Sequence, residues 1–339
     1  MTQTMLFPGP FVTEAGAVFP SVRIAYRTWG TLAADASNVV WICHALTGSS
    51  DADTWWSELI GPGRVIDTTT CFVVCANMLG SCYGSTGPTD TDASTNRIYG
   101  PAFPFITARD IVCAFDALRS HLGIDSIRVL IGGSMGGQHV LEWAALAPDR
   151  IECIVPIATN AKHSPWGIAW NAAQRMALEA DSTFALYETN AGERGLAAAR
   201  AVAMLSYRTR MLFDGKQRDD NEAFDDFRAE RYQRYQGRTL VHRFNAHAYW
   251  TLTKAMDAHD IGRGRGGPGA ALRAIRARTL VVGIDTDQLF PVHEQEFIAD
   301  MVPRAVYRMM RSTAGHDAFL LDQHQLSRIL QSERILHLS

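Results

Sequence analysis

Short apolar runs alternate with amphipathic stretches in both the first and the last third of the chain. Seven runs have the length and composition of buried strands, at residues 22–29, 39–45, 72–77, 127–132, 151–158, 279–284 and 305–310. Between them, Ile111, Phe115 and Leu118 recur at helical spacing within residues 107–122, and residues 135–147 predict a second helix. This alternation is typical of a mostly parallel sheet flanked by helices, so the sequence predicts an α/β fold.

The pattern changes between about residues 160 and 267, where strand-like runs disappear. Residues 197–205 are alanine-rich and favour a helix, whereas residues 219–234 are strongly charged. The run Gly-Arg-Gly-Arg-Gly-Gly at 262–267 has the composition of a flexible linker that returns the chain to the sheet. We therefore expect a core of residues 1–159 and 268–339, with a helical lid inserted at 160–267.

Composition narrows the classes of partner. Of 339 residues, 47% are hydrophobic and 20% are charged, as in ordinary folded domains. The net charge of -3 offers no basic surface for nucleic acid or anionic membranes, and a single glycine-arginine run does not change this. Because no apolar stretch reaches the roughly 20 residues of a membrane span and the N-terminus lacks a secretion signal pattern, we expect a cytoplasmic protein that binds small molecules.

The six cysteines all fall in the first half of the chain, several of them inside apolar runs such as residues 71–75. This placement favours reduced cysteines that pack in the core over a disulfide framework or a metal site. The sequence thus predicts no metal site and no permanently bound cofactor.

The strongest candidate for chemistry is a serine between glycines. The sequence Val-Leu-Ile-Gly-Gly-Ser-Met-Gly-Gly at 129–137 predicts a strand, a sharp turn and a helix, with Ser134 at the apex of the turn. Small neighbours are needed there because the backbone at the apex is strained. The Met135 amide, at the start of the helix, would then face a developing oxyanion. A glycine-rich turn that merely packs closely is the alternative; without a phosphate-loop lysine, we favour a nucleophile in an α/β-hydrolase fold.

A serine nucleophile needs a base, and the base needs an acid to fix its tautomer. In this fold the chain order is serine, acid, histidine. After the strand at 279–284, Asp285 and Asp287 both qualify; Asp287 is preferred because a few residues must carry the carboxylate over the sheet edge, whereas Asp285 suits a loop hydrogen bond. His316 follows the last strand and is the candidate base. Other histidines lie in or beside helices, among them His139, His293, His324 and His337.

Two further positions complete the candidate site. The loop after the early strand, residues 44–48, should supply the second oxyanion donor, and we choose the amide of Leu46. In that loop, His44 is expected to shape the backbone by hydrogen bonding rather than to act as a base. Asp317 either caps the last helix or binds a substrate ammonium group, and the residues alone leave both open.

Together these residues resemble the homoserine O-acetyltransferase family, acyl-CoA-dependent transferases of methionine synthesis. The likeness covers most of the chain and includes residues 26–30, 44–48, 55–56, 60–63, 77–88, 163–166 and 235–237. The resemblance implies a triad of Ser134, Asp287 and His316, with Arg208 and Asp317 holding the carboxylate and amine of the amino acid. It also implies a homodimer with the active site in a tunnel beneath the lid, and acetyl-CoA as a substrate.

The acyl group is the remaining question, because similar enzymes transfer succinyl to homoserine or serine. The succinyl-transferring enzymes resemble one another in having an arginine two residues after the catalytic aspartate. There the arginine can pair with the succinyl carboxylate. The corresponding residue is Leu289, and an apolar side chain would leave that carboxylate unpaired at a cost of several kcal/mol. We therefore expect acetyl transfer from acetyl-CoA to homoserine; O-succinyl transfer and ester hydrolysis by the same triad are the alternatives.

Overall fold

The computed structural model describes residues 1–7, 9–220, 222 and 224–336, so His337 lies outside the described residues. Over this part of the chain the strands are β1 (Gln3–Leu6), β2 (Phe11–Val12), β3 (Val18–Phe19), β4 (Arg23–Trp29), β5 (Val39–Cys43), β6 (Phe72–Ala76), β7 (Thr91–Asp92), β8 (Arg97–Ile98), β9 (Ile127–Gly133), β10 (Ile151–Ile157), β11 (Arg278–Ile284) and β12 (Ala305–Met310).

The α-helices follow in the same order, with short 3-10 helices at Gly100–Ala102 and Gly315–Asp317. Within the described ranges they are α1 (Ala52–Trp55), α2 (Ala108–His121), α3 (Met135–Leu146), α4 (Pro165–Glu179), α5 (Glu193–Tyr207), α6 (Arg210–Gln217), α7 (Arg228–Val241), α8 (Ala246–Asp257), α9 (Pro268–Arg273), α10 (Val292–Met301), α11 (Ala318–Leu321) and α12 (Gln323–Ser332). None of the helices found in these ranges is long and apolar enough to cross a membrane.

One large sheet, in the order β1-β4-β6-β5-β9-β10-β11-β12, organises the molecule. In the sheet order from β6 to β12, neighbouring strands are parallel. At the other edge, β4 runs antiparallel to both of its neighbours, β1 and β6. The seven predicted strands correspond to β4, β5, β6 and β9 to β12, and the two predicted helices to α2 and α3. The predicted α/β-hydrolase fold, a mostly parallel sheet flanked by helices, is confirmed.

The central strands are buried on both faces, which explains their continuous apolar sequence. All of β5 is buried, and successive side chains point to opposite faces of the sheet. Trp41 packs on one face, where its ring meets that of Trp143 edge-on at 5.0 Å, while Ile42 packs on the other with Val155. Each such burial stabilises the fold by roughly 1.5–3 kcal/mol.

Between β10 and β11 the described residues form helices α4 to α9, of which α4 to α8 lie in the segment for which a lid is expected. We call residues 160–267 the insertion. Its helices begin where the sequence offers caps: Ser164 accepts a hydrogen bond from the Gly167 amide before α4, and Asn245 accepts one from Ala248 before α8. Proline follows Ser164 at the first helical position, where its missing N–H costs nothing.

The glycine-arginine run at 262–267 is an ordered turn, so the prediction of a flexible linker is wrong. The amides of Gly262 and Gly267 are hydrogen-bonded, the first to Asp260 and the second to the Gly262 carbonyl. Arg265 donates to both oxygens of Glu142 in α3, at 2.7 and 3.0 Å. The composition of the run alone predicted flexibility. The carboxylate that fixes this turn lies more than a hundred residues away in the sequence, so a local pattern could not reveal it.

Candidate active site

Ser134 stands at the sharp turn between β9 and α3. Its backbone has φ 57° and ψ -126°, a conformation that costs free energy for any residue other than glycine. The turn is held on both sides: the Ser134 amide donates to the Ile157 carbonyl at 2.9 Å, and the Thr159 hydroxyl donates to the Ser134 carbonyl at 2.8 Å. The neighbouring strand β10 and the residues after it thus fix the strained serine.

The glycines around Ser134 are required by close packing. A Cβ on Gly136 would overlap the carbonyl oxygen of Cys43 at the end of β5, and a Cβ on Gly133 would lie 2.6 Å from the ring of Phe319. Because both sites exclude a side chain, the start of α3 can approach β5 and the C-terminal helices closely. The sequence pattern around Ser134 therefore has a steric cause in this structure.

The structure brings His316 to Asp287 rather than to Asp285. His316 Nδ1 lies 2.7 Å from Asp287 Oδ2, while Asp287 Oδ1 accepts from the amides of Leu289 at 2.8 Å and Phe290 at 2.9 Å. The carboxylate thereby assigns the proton to Nδ1 and leaves Nε2 as the free acceptor. Asp285 instead accepts from the Ser312 amide at 3.0 Å, the loop role expected for it.

Three aromatic rings surround the His316 imidazole. Phe290 stacks on it at 5.2 Å between centroids, and Tyr207 and Phe319 each lie at 5.7 Å. Burial among these rings lowers the pKa of His316, but the charge and hydrogen bond of Asp287, together with the charge of Asp317, outweigh it and raise the pKa above the usual 6.5. The ion pair with Asp287 is what makes this buried histidine a stronger base.

Ser134 and His316 open into one cavity of about 570 Å³, which lies between the sheet and the insertion. Leu46 and Asp317 of the core line it, as does Arg208 of the insertion. A space of this size accommodates a small substrate or the end of a larger one. The other lining residues are Ala45, Thr47, Gly48, Ser49, Asp51, Thr54, Trp55, Tyr83, Arg200, Tyr207, Arg243, Phe319, Leu320 and Leu321.

Met135 and Leu46 are the residues whose backbone amides are predicted to bind an oxyanion. Met135 is the first residue of α3, so its N–H has no acceptor within the helix and carries the positive end of the helix dipole. Leu46 lies in the loop after β5, where the Gly48 amide closes a turn onto the Ala45 carbonyl at 2.8 Å. Met135 directly follows Ser134 in the sequence, and Leu46 lines the same cavity as Ser134.

His44 has the loop-shaping geometry that the sequence analysis expected of it. Its Nε2 accepts from the Met78 amide at 3.4 Å, which assigns the proton to Nδ1, and Nδ1 then donates to the Ala45 carbonyl at 2.9 Å. Burial lowers the pKa of His44 to about 4, so the ring is neutral near pH 7. A neutral ring with both nitrogens engaged is unsuited to act as a base.

Arg208 and Asp317 meet in the cavity. Arg208 Nε lies 3.0 Å from Asp317 Oδ2 without being aligned for a hydrogen bond. The Asp317 side chain makes no capping bond to α11, so capping does not explain this residue. Burial raises the pKa of Asp317, against the lowering effect of Arg208 and His316. A cation and an anion thus stand side by side at the wall of the cavity that contains Ser134.

Comparison with known proteins places this geometry in a family. A sequence model described as the alpha/beta hydrolase fold matches residues 38–323. The chain is 49% identical over 319 residues to the homoserine O-acetyltransferase of Cyclobacterium marinum, with 94% of this chain and 91% of that relative covered. The chain belongs to the homoserine O-acetyltransferase family. The resemblance drawn from the sequence is confirmed, as is its class, the acyltransferases.

Solved structures extend the likeness. A homoserine O-acetyltransferase from Bacillus anthracis superposes with a TM-score of 0.93 at 23% identity, covering 100% of this chain and 98% of that one. An acetylester hydrolase from Corynebacterium glutamicum superposes with a TM-score of 0.86 at 25% identity, covering 98% and 95%. The fold is therefore shared by transferases and by a hydrolase, and the residues of the cavity must distinguish the two activities.

Leu289, the residue expected to decide the acyl group, does not line the cavity. It is 4% exposed and packs in the core, and its amide donates to Asp287. Position 289 therefore contributes to the site through the backbone amide that holds the Asp287 carboxylate. Whether the side chain also influences the choice of acyl group remains a prediction.

Sequence reasoning missed several residues that the fold brings to the cavity of this homoserine O-acetyltransferase family member. Arg200 lies on α5 eight residues before Arg208, with its guanidinium 5.4 Å from the centre of the Tyr207 ring, and Arg243 follows α7. An arginine in a helix or just after one has the same sequence signature whether it faces water or a cavity. Tyr83 lies within residues 77–88, one of the stretches that resemble the family, and this was the signal in the sequence that could have pointed to it.

Proposed function

We propose that the protein transfers an acetyl group from acetyl-CoA to the hydroxyl of L-homoserine through an acyl-enzyme on Ser134. The observation that carries this proposal is the pair of opposite charges, Arg208 and Asp317, in the cavity that also contains Ser134 and His316. An amino acid carries a carboxylate and an ammonium group, which match these two charges. Membership of the homoserine O-acetyltransferase family supports the same acceptor.

In the first half-reaction, His316 Nε2 takes the proton of the Ser134 hydroxyl, and Oγ attacks the thioester carbonyl. The amides of Leu46 and Met135 stabilise the oxyanion. When the intermediate collapses, the carbon–sulfur bond breaks, and His316 returns the proton to the leaving thiolate of coenzyme A. Asp287 holds the imidazole in the correct tautomer throughout.

In the second half-reaction, Arg208 binds the carboxylate of homoserine and Asp317 binds its ammonium group. The hydroxyl of the substrate then gives its proton to His316 and attacks the acetyl carbonyl on Ser134. Collapse of this second intermediate releases O-acetylhomoserine and returns the proton to Ser134. Residues 160–267 act in this scheme as a lid that supplies Arg208 and limits the access of water.

The acyl group is proposed to be acetyl, as the names of the homoserine O-acetyltransferase relatives suggest; the leucine at position 289 also supplies no cation for a succinyl carboxylate, although its side chain packs in the core outside the cavity. Arg200 and Arg243 also line the cavity, however, and a succinyl carboxylate could pair with either. The test is therefore a crossed assay of acetyl-CoA and succinyl-CoA against homoserine and serine, followed by the release of free thiol. We expect the fastest release with acetyl-CoA and homoserine. Preference for succinyl-CoA would overturn the argument from Leu289.

A second candidate is ester hydrolysis by the same residues, favoured by the likeness to the acetylester hydrolase. Here water replaces homoserine in the second half-reaction. The two activities differ in whether an amino acid or water accepts the acetyl group from the acyl-enzyme. Acetate release from acetyl-CoA at the same rate with and without homoserine would support hydrolysis and refute the transferase.

We also propose that the protein is a cytoplasmic homodimer, as the resemblance implies. The free state of all six cysteines agrees with a reducing compartment. Light scattering coupled to size-exclusion chromatography should give about twice the chain mass of 37.4 kDa. A mass of one chain at micromolar concentration would contradict the dimer.

A further inference from the structure

Arg243 connects the insertion to the loop that carries Leu46. It follows α7, and its Nη1 donates to the Thr47 carbonyl at 2.6 Å and to the Tyr83 hydroxyl oxygen at 2.9 Å. Its Nη2 lies 3.4 Å from the Thr47 hydroxyl. The guanidinium therefore bonds to the backbone of the residue directly after Leu46.

The backbone continues this contact as a chain of hydrogen bonds. The Thr47 carbonyl belongs to the same peptide group as the Gly48 N–H, which donates to the Ala45 carbonyl at 2.8 Å. The Ala45 carbonyl in turn belongs to the same peptide group as the Leu46 N–H. Two peptide groups in series thus join the Arg243 cation to the Leu46 amide, the proposed oxyanion donor. Hydrogen bonds in such a series polarise one another.

The core holds this loop at other points. His44 donates to the same Ala45 carbonyl, and Asn77 accepts from the Ser50 amide at 2.6 Å while its own NH₂ group donates to the Tyr83 carbonyl at 2.7 Å. All the partners in these bonds belong to the core. Arg243 alone among these contacts depends on the insertion lying over the core.

We propose that Arg243 is a positioning residue for the oxyanion hole: it orients and polarises the Leu46 amide, so that acylation of Ser134 depends on the position of the insertion. The inference rests on the proposed function, since it concerns the same site. Phe244 fixes the other end of the contact, because its buried ring meets Tyr83 at 5.6 Å and Tyr249 at 6.2 Å. The arginine backbone is thereby anchored while the guanidinium reaches the loop.

The test measures acylation with two donors, acetyl-CoA and p-nitrophenyl acetate, in the full chain. In Arg243→Met, the burst rate constant at saturating donor should fall about tenfold with both donors, a smaller loss than the 10²–10³ seen when an oxyanion donor is removed outright. The KM for p-nitrophenyl acetate should stay within about twofold. Arg243→Lys, which keeps the charge and one donor, should recover part of the rate. Arg238→Met, an exposed arginine on α7, is the matched control and should react like the wild type.

The outcomes separate the alternatives. A loss confined to acetyl-CoA and expressed in KM would mean that Arg243 binds coenzyme A, and the inference would be wrong. An equal loss in Arg238→Met, or an unchanged burst in Arg243→Met, would also overturn it. Failure of the proposed function has a different signature: the wild type would show a burst but transfer no acetyl group to homoserine. Thermal unfolding of each variant verifies that it is folded.

Discussion

Both oxygens of Asp287 are engaged, one with His316 and the other with two backbone amides. Replacing Asp287 by asparagine keeps the shape but presents an amide that can donate to Nδ1, which favours the wrong tautomer of the imidazole. We expect kcat for thiol release to fall by roughly 10³–10⁴, with KM little changed. A loss of less than about tenfold in steady-state assays would show that Asp287 is not the partner the base requires.

The pH dependence of acylation reflects the interaction between Asp287 and His316. The pKa of His316 is raised by Asp287, and only the neutral imidazole can accept the proton of Ser134. Acylation should therefore be lost as the pH falls through a midpoint above 6.5. In Asp287→Asn the burial remains while the charge is removed, so the midpoint should move to lower pH. The profile of kcat/KM with p-nitrophenyl acetate measures both midpoints; an unmoved acid limb would contradict this cause.

Asp317 is expected to act on the acceptor and not on the acyl donor. Asp317→Asn removes the anion proposed to bind the ammonium group, and a charge-assisted bond of this kind corresponds to roughly a 10- to 100-fold rise in the KM for homoserine. The acylation burst with p-nitrophenyl acetate should change less than threefold above the pKa of His316. Asp214→Asn, which alters an exposed pair on α6, provides the control. Equal effects on both half-reactions would remove Asp317 from the acceptor site.

Among single residues, chain order could predict those that stand at a fixed point of the fold, such as the end of a particular strand. Ser134 stands at a strand–turn–helix junction, and Asp287 and His316 follow late strands, so topology alone indicated them. Thr159 and Arg243 could not be predicted, because each acts through a backbone carbonyl of a distant residue. A contact of that kind leaves no pattern in the sequence.

The elbow between β9 and α3 depends on the absence of side chains at two glycines. Gly136→Ala would force a methyl group into the Cys43 carbonyl and separate α3 from β5, so we expect a loss of roughly 1–3 kcal/mol in the free energy of unfolding. Gly215→Ala on α6 is the matched control, because a Cβ there meets open space and alanine favours a helix by up to about 1 kcal/mol. Urea titrations compare the two, and equal stabilities would argue against the steric account of the elbow.

Elements buried on both faces were predictable, and exposed short ones were not. β5, β9 and β10 are apolar almost throughout, and their predicted bounds differ from the observed ones by no more than two residues. By contrast, β2, β3, β7 and β8 each contain two residues, too few for any periodicity to appear. β1 was missed because it pairs only at the antiparallel edge and has one buried residue, Met5.

Across the whole molecule, arginines tie the insertion to the core at two places. Arg243 reaches the loop after β5 at the cavity, and Arg265 reaches Glu142 in α3 where the chain returns to the sheet. Composition predicted an insertion at residues 160–267 but contained no sign of these ties. Long-range ion pairs are specified by the fold, so neither partner is recognisable alone.

Glu142 is the centre of the second tie, and its side chain is only 3% exposed. It accepts from Arg109 of α2 at 2.8 Å and from Arg265, while Arg109 also pairs with Glu14 near the N-terminus at 2.7 Å. Glu142→Gln would leave two arginines without their shared anion. Because both arginines are about one-fifth exposed, water offsets part of the cost, and we expect a loss of roughly 2–3 kcal/mol in the free energy of unfolding.

The control for this change is Glu230→Gln, which breaks an exposed pair with Arg234 one turn away on α7. Such surface pairs contribute less than about 1 kcal/mol, so the control should unfold almost as the wild type does. If the two variants were equally stable in urea, the charges around Glu142 would not hold the return turn against α3. The insertion would then owe its position to its apolar helix packing and to its other polar contacts with the core, among them Arg243 with the loop after β5 and Arg208 with Asp317.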